Sequence, residues 1–206
     1  MAPAGQWDAL VLAAGDIAPV EPFLDASFAK WRHSVDLNFL SQMQFLHSML
    51  PARKLTNKLK PVVLFFAGGG TNSAPIGSSA YTISKIALIK CCEMLDAEIP
   101  DTRFTILGPG WVKTKIHQPA LDADATNPVH QKTMDMLKGG DFFSMERVVD
   151  CCNWLIGSPA ELIGGRNFSA VHDQWGQKDL NEKLLKDPNM YKLRRAGNES
   201  AVKAKA

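Results

Sequence analysis

Two side chains with acid–base chemistry lie four residues apart in the stretch SAPIGSSAYTISKIALIKCCEMLDAEIP, residues 73–100. The stretch predicts a loop followed by a long apolar helix, on which residues four apart share one face, so Tyr81 and Lys85 become neighbours. At about 5 Å and an effective dielectric of about 20, a phenolate and an ammonium attract by roughly 3 kcal/mol, or about two pKa units at most. The pair therefore predicts a tyrosine that can transfer a proton near neutral pH. The same spacing also fits an ordinary exposed helix pair.

The segments around this helix indicate what positions the pair. An apolar run that breaks into glycines, VVLFFAGGG, precedes it, and a second apolar run with a turn, FTILGPGWVKT, follows it. Strand, loop, helix, strand and loop in this order predict a parallel crossover unit. Ligands bind at the carboxyl ends of such strands, where residues 68–70, Tyr81 and residues 109–114 are expected to gather.

Four motifs in a fixed order resemble the short-chain dehydrogenase/reductase family. YTISK (residues 81–85) resembles its YxxxK motif, and PGWVKT (residues 109–114) resembles its PGxVxT cofactor loop. Upstream, Asn38 in SVDLNFL resembles its helix asparagine, and LVLAAG ending at Gly15 resembles its NNAG strand end. The resemblance implies an α/β fold, the carboxyl-terminal part of a Rossmann-like, doubly wound parallel sheet. It also implies one domain over residues 1–176, followed by a polar tail over residues 177–206 that reads as a solvated helix.

The resemblance also assigns roles to residues. Tyr81 is implied to be the catalytic acid and base, Lys85 to lower its pKa and hold the cofactor ribose, and the backbone carbonyl of Asn38 to hold a water that passes protons to the lysine. NAD or NADP is the implied cofactor. The residues implied to bind it are Ala14, Gly15, Tyr81, Lys85, Pro109, Gly110, Val112 and Thr114.

The chain departs from the family pattern at several points. Ala67 and Gly68 stand near the position of the family's catalytic serine, and either Thr71 or Ser73 could replace that hydroxyl if the loop folds back. Leu12 and Ala13 stand in place of two asparagines. The glycine-rich TGxxxGxG turn that grips the dinucleotide is not in the sequence, and Gly68–Gly70 follow the wrong strand to replace it. The chain is therefore expected to be an amino-terminally truncated member of the family.

Two classes of function follow. The first is an oxidoreductase that exchanges hydride between NAD(P) and a small carbonyl or alcohol substrate. The second is a non-catalytic, shortened relative that serves as a binding or assembly subunit. In the usual strand order the strand at residues 8–14 pairs with a first strand that this sequence lacks, which would expose an apolar edge. We therefore expect a homo-oligomer, a complex with a partner chain, or poor solubility.

Composition excludes other classes. The net charge of +2 over 206 residues argues against a nucleic-acid partner. No apolar run is long enough to span a membrane and no signal peptide is evident, so a cytoplasmic location is expected. The cysteines occur as two adjacent pairs in predicted helices, which is typical of reduced thiols rather than of a zinc or redox motif, and the histidines are not grouped. The sequence therefore predicts no metal site.

Overall fold

Four parallel strands carry the loops in which the predicted site residues lie. The computed structural model describes residues 5–55, 58–140 and 142–195. Val63 pairs with Leu10 on one side and Phe104 on the other, so β2 is central and β1 is an edge of the described sheet. The predicted α/β architecture with a parallel sheet is confirmed. The strands, in spatial order, are β1 (Ala9–Leu12), β2 (Val62–Phe66), β3 (Arg103–Gly108) and β4 (Asn167–Ser169).

Helices cover both faces of the sheet. Successive residues of a strand point to opposite faces, and β2 shows this directly: Val62 packs into one apolar cluster and Val63 into another, both fully buried. A central parallel strand that is buried on both faces must be apolar throughout, as VVLFF is. The apolar runs of the sequence thus form the two core strands.

The first crossover is a long helix with an irregular turn. It runs from α1 (Phe28–Val35) through a π-helical turn (Asp36–Leu40) into α2 (Ser41–Met49), and a 3-10 turn containing Pro51 ends it. The sequence predicts one regular helix over residues 27–50. The structure differs at the π-helical turn, which widens the helix and lets the Asn38 side chain face the end of β1.

The second crossover, α3 (Ser79–Glu98), follows the glycine loop and carries Tyr81 and Lys85. Among the later helices, α6 begins after Ser144, a residue type that favours the N-cap position in the sequence; its side chain accepts a hydrogen bond from the Arg147 backbone N–H at 3.3 Å and so caps the helix. These helices are α4 (Gln118–Leu121), α5 (Pro128–Gly139), α6 (Met145–Gly157), α7 (Ala160–Ile163) and α8 (Lys178–Lys186).

The segment predicted as a polar tail begins with a helix that packs on the domain. Leu180 and Leu184 of α8 are buried in the same apolar cluster as Val62, and the Arg166 guanidinium donates to the Leu184 carbonyl at the end of this helix. These two leucines lie four residues apart, and this spacing indicates a helix with one apolar face, which the polar composition of the segment does not reveal. Residues 196–206 of the predicted tail lie outside the described part. Among the described helices, none has the length and apolar content needed to cross a membrane.

Candidate active site

Tyr81 lies against a residue that has no side chain. It occupies the first turn of α3, and Gly68 follows the end of β2. A Cβ atom built on Gly68 would lie 2.6 Å from the Tyr81 hydroxyl and 2.8 Å from Lys85 Cγ. Real Cβ atoms do not approach other atoms this closely, so the tyrosine can hold this position only because residue 68 is glycine.

Lys85 is a buried cation at the carboxyl end of the sheet. Only 3% of its surface is exposed, and its Nζ donates to the Phe66 carbonyl at 3.0 Å. The same Nζ lies 5.6 Å from the centroid of the Tyr81 ring. An ammonium has three N–H donors, and the Phe66 carbonyl accepts one of them. The predicted juxtaposition of the phenol and the ammonium is therefore present.

The protonation of the pair differs from the prediction. Burial raises the pKa of Tyr81 to about 12 and lowers the pKa of Lys85 to about 8. The net direction of the Tyr81 pKa shift is thus opposite to the predicted one. Both groups lose solvation on folding, and this loss favours the neutral form of each.

Asn38 fastens the loop after β1 to the π-helical turn. It is fully buried; its Oδ1 accepts from the Asp16 N–H at 3.0 Å and its Nδ2 donates to the Asp16 carbonyl at 2.8 Å. A Cβ atom built on Gly15 would lie 3.2 Å from Asn38 Oδ1 and 3.4 Å from Lys85 Nζ. Because Gly15 has no side chain, Asn38 and Lys85 can both lie close to the end of β1. The resemblance implies this close approach for a residue beside the cofactor ribose.

The backbone carbonyl of Asn38 is already engaged. It accepts a hydrogen bond from Gln42 Nε2 at 2.8 Å, and the same nitrogen donates to the Ala14 carbonyl at 3.0 Å. The resemblance implies a water at this carbonyl, which has two lone pairs and can accept from Gln42 and from a second donor. Gln42 is not among the predicted site residues; its spacing of four from Asn38, one helical turn, is the sequence signal for this contact.

The position of the family's serine remains without a hydroxyl. Ala67 points into the apolar core, and Gly68 faces Tyr81. Thr71 is half-buried and Ser73 is exposed, and neither forms a hydrogen bond with Tyr81 within the described residues. The loop after β2 therefore presents backbone, not a hydroxyl group, to the Tyr81 oxygen.

The third loop of the predicted site follows β3 at the same sheet edge. Pro109 is half-buried, Gly110 has a left-handed φ of 77° and abuts the Val171 side chain, Val112 is buried and Thr114 is exposed. The Trp111 ring stacks on His117 with centroids 4.8 Å apart, and His117 Nε2 lies 2.9 Å from the Val112 carbonyl. These contacts join the loop after β3 to the short helical turn that contains His117.

The thiol and metal predictions concern residues outside this site. All four cysteines are free; Cys92 and Cys151 are buried, and burial raises the pKa of each of their thiols. Among the residues that the structure describes, no group of three or more His, Cys, Asp and Glu side chains could hold a metal ion. The other two cysteines, Cys91 and Cys152, are half-buried.

Known proteins share both the sequence pattern and the fold. The model of the family described as short chain dehydrogenase matches residues 1–125. An uncharacterized oxidoreductase of Schizosaccharomyces pombe is 24% identical over 169 residues, which are 82% of this chain and 63% of the relative. The chain thus spans less than two thirds of the length of this curated relative.

Solved structures give the same comparison in three dimensions. The KRED1-Pglu enzyme has a TM-score of 0.70 at 25% identity over 79% of this chain and 68% of its own. A short-chain dehydrogenase/reductase from Saccharomyces cerevisiae has a TM-score of 0.72 at 21% identity over 87% of this chain and 70% of its own. A protein from Shigella flexneri, assigned as a short chain dehydrogenase and complexed with NADP, has a TM-score of 0.63 at 18% identity over 80% of this chain and 63% of its own.

Proposed function

Because the chain belongs to the short chain dehydrogenase family, we propose that it is an NAD(P)-dependent oxidoreductase that interconverts a carbonyl and an alcohol. The observation that carries the proposal is the pairing of the Tyr81 phenol with the buried Lys85 ammonium at the carboxyl end of the parallel sheet. A phenol at that edge can exchange a proton with a substrate oxygen. NAD or NADP, when bound, supplies or accepts the hydride.

The protonation of Tyr81 favours one direction of the reaction. With a pKa of about 12 the phenol carries its proton at neutral pH, so it is ready to donate to a carbonyl oxygen that gains negative charge. In carbonyl reduction the O–H bond of Tyr81 would break as its proton moves to the substrate oxygen, while the hydride would come from the bound reduced nucleotide. Lys85 then stabilises the resulting phenolate by its positive charge.

The residues of this chain fit the nicotinamide end of the cofactor. Gly15 leaves bare backbone beside Lys85 Nζ, and an ammonium with N–H donors to spare suits ribose hydroxyls. Residues 109–114 follow β3 at the same edge and suit the carboxamide. The glycine loop after β2 does not suit the pyrophosphate, because Gly68 lies against Tyr81 instead of opening a phosphate-binding helix.

A second candidate function is a binding or assembly subunit without turnover. Ala67 points into the core and Gly68 has no side chain, so the substrate oxygen lacks one hydrogen-bond donor. Loss of such a donor raises a reaction barrier by roughly 3 kcal/mol. This deficit supports the second candidate, whereas the buried Lys85 supports the first.

Cofactor titration separates the two candidates. The purified chain is titrated with NADH and with NADPH, followed by nucleotide fluorescence and calorimetry. Lys85→Ala is the test variant, and Lys90→Ala, an exposed lysine of the same helix, is the matched control. We expect binding that Lys85→Ala weakens at least tenfold, since hydrogen bonds to charged groups contribute about 1.5–3 kcal/mol, and that Lys90→Ala leaves unchanged. Absence of binding of either nucleotide up to about millimolar, a free energy weaker than about −4 kcal/mol, contradicts the enzyme proposal and favours the subunit.

We also propose that two copies of the chain associate through β1. This strand is an edge of the described sheet, and Val11 on it is 46% exposed. An apolar edge strand offers unpaired backbone groups to a strand of another chain. Light scattering after size exclusion should show a dimer that Val11→Lys dissociates, while Leu185→Lys, at an exposed leucine of α8, leaves it intact. A monomeric wild-type chain refutes the proposal. A small carbonyl or alcohol compound as substrate, and a cytoplasmic location, stay predictions.

A further inference from the structure

The first turn of α3, which carries Tyr81, begins without a side-chain cap. The side chain of Ser78, at the N-cap position, accepts no hydrogen bond from this turn, and the turn contains no acidic residue. In contrast, Asn127 caps α5 and Ser144 caps α6. A helix start leaves backbone N–H groups unpaired, and a side-chain cap normally stabilises it. The position of Tyr81 therefore depends on contacts from other elements.

Trp31 of α1 supplies such a contact. Its indole Nε1 donates to the Ser79 hydroxyl oxygen at 3.0 Å, across 48 positions of the sequence. Ser79 is the first residue of α3 and lies two positions before Tyr81. An indole N–H only donates hydrogen bonds, so the hydroxyl oxygen is the acceptor. This hydrogen bond joins α1 to the turn that carries the candidate catalytic phenol.

Two phenylalanine rings orient the Trp31 indole. The Phe28 ring stacks on it with centroids 5.7 Å apart and an interplanar angle of 7°, and the Phe23 ring meets it edge-to-face at 6.1 Å and 86°. Aromatic pairs favour both arrangements. Phe23 is 58% exposed and Phe28 is 66% exposed, so neither ring belongs to the apolar core. Their contacts with the indole instead help to hold its N–H towards Ser79.

We propose that Trp31 is a positioning residue that holds the first turn of α3 through Ser79 and so keeps Tyr81 against Gly68. Residues two apart on a helix point in nearly opposite directions, so the indole holds the turn from the side opposite to the phenol. Gly68 leaves room for the phenol on its own side. The inference rests on the proposed function, because the position of Tyr81 affects a reaction only if this phenol transfers a proton.

NMR spectroscopy of the purified chain tests the proposal without any turnover. The chain contains two tyrosines, so ¹³C-tyrosine labelling gives ring signals of Tyr81 and Tyr191 that Tyr191→Phe assigns. The Thr82 amide donates to the Ser78 carbonyl at 2.9 Å, and its hydrogen exchange reports the opening of the first turn.

Three variants separate the indole hydrogen bond from the loss of a tryptophan as such. Trp31→Phe keeps an aromatic ring and removes the donor, and Ser79→Ala removes the acceptor. Trp7→Phe is the matched control, because Trp7 Nε1 also donates a hydrogen bond, to the Met49 carbonyl at the end of α2 at 2.8 Å.

We expect the Thr82 amide to exchange about 2–12 times faster in Trp31→Phe, the factor by which one typical hydrogen bond shifts an opening equilibrium. The Tyr81 ring signals should move, while those of Tyr191 stay. Ser79→Ala should have the same effects, the double variant should add nothing further, and Trp7→Phe should leave both readouts unchanged.

Unchanged readouts in Trp31→Phe overturn the proposal, and so do equal changes in Trp7→Phe or additive effects in the double variant. If Trp31→Phe does not fold, Ser79→Ala is measured against Trp7→Phe with the same expectations, and unchanged readouts there overturn the proposal. Failure of the proposed function is distinguishable, because it appears as absent nucleotide binding while the NMR effects of Trp31→Phe persist.

Discussion

Adding one methyl group at Gly68 should displace the candidate catalytic tyrosine. In Gly68→Ala the new Cβ atom would lie 2.6 Å from the Tyr81 hydroxyl, 2.8 Å from Tyr81 Cε1 and 2.8 Å from Lys85 Cγ. Inserting one carbon into a packed site forces neighbouring side chains off their positions and costs about 1–3 kcal/mol. Both crowded side chains belong to the proposed site, so stability and nucleotide binding should fall together.

Gly69→Ala is the matched control for this substitution. A Cβ atom at Gly69 meets no atom within 4 Å, and its φ lies outside the left-handed region. Both variants lose the same unfolded-state freedom, a gain in stability of about 0.4–1 kcal/mol. The difference between the two free energies of unfolding therefore isolates the clash, and we expect it to be about 1–3 kcal/mol.

Urea denaturation at fixed pH measures this difference, with equal m-values as the condition for comparing midpoints. Thermal melts should separate the two variants by about 2–12 °C, at about 2–4 °C per kcal/mol for a chain of this size. If Gly68→Ala is as stable as Gly69→Ala and binds nucleotide equally, then Tyr81 does not lie against residue 68 and the geometry of the site is wrong.

Three further predictions concern the same network and one distant ion pair. Asn38→Ala leaves the Asp16 N–H and carbonyl without their side-chain partner. It should lower the free energy of unfolding, measured by urea denaturation, by about 2–4 kcal/mol and speed hydrogen exchange of the Asp16 amide. Unchanged stability and exchange contradict the role of Asn38 in holding Asp16. The folded pKa of Lys85, about 8, lies below its ordinary value of 10.5, so between these pH values the unfolded chain binds more protons than the folded chain. The free energy of unfolding of the wild type should therefore rise from about pH 8 to about pH 10 relative to that of Lys85→Met. Parallel pH curves of the two proteins contradict this. The hydrogen bond from Arg194 lowers the pKa of Glu93 to about 2 from its ordinary value of 4.5. The ion pair should therefore stabilise the fold fully above pH 4.5 and lose this effect as the pH falls towards 2. Glu93→Gln should lack this acid-dependent loss of stability, and identical acid unfolding curves of the two proteins would speak against the ion pair.

The sequence was sufficient for elements whose residues act locally. The run VVLFF is apolar at every position because β2 is buried on both faces, and Ser144 caps α6 through a backbone N–H three residues on. The spacing of Tyr81 and Lys85 on α3 likewise depends only on helix geometry. Patterns of this kind can be read within one turn or one strand, which is why the strand and helix positions agree with the structure.

The site itself depends on contacts between residues far apart in the chain. The hydrogen bonds between Asn38 and Asp16 join residues 22 positions apart in the sequence, and Gln42 donates to the Ala14 carbonyl across 28 positions. No local pattern indicates either contact, and the π-helical turn that permits them is not predicted by apolar spacing. The pKa of Tyr81 was mispredicted for a related reason: the attraction of Lys85 follows from spacing, whereas the burial of both groups follows from the fold.

These features together restrict how a proton can return to Tyr81 after each reduction. Asn38 uses its side chain to hold Asp16, and its carbonyl accepts a hydrogen bond from Gln42, so the acceptors on the side of Lys85 towards the π-helical turn already have donors among the described residues. On the other side of Tyr81 lies the glycine loop, where residue 68 has no side chain and Gly69 is exposed. We predict that water restoring the phenol proton reaches Tyr81 past the glycine loop, because Gly68 places no side chain beside the phenol oxygen. A bulky side chain at Gly69 should then slow the proposed reaction.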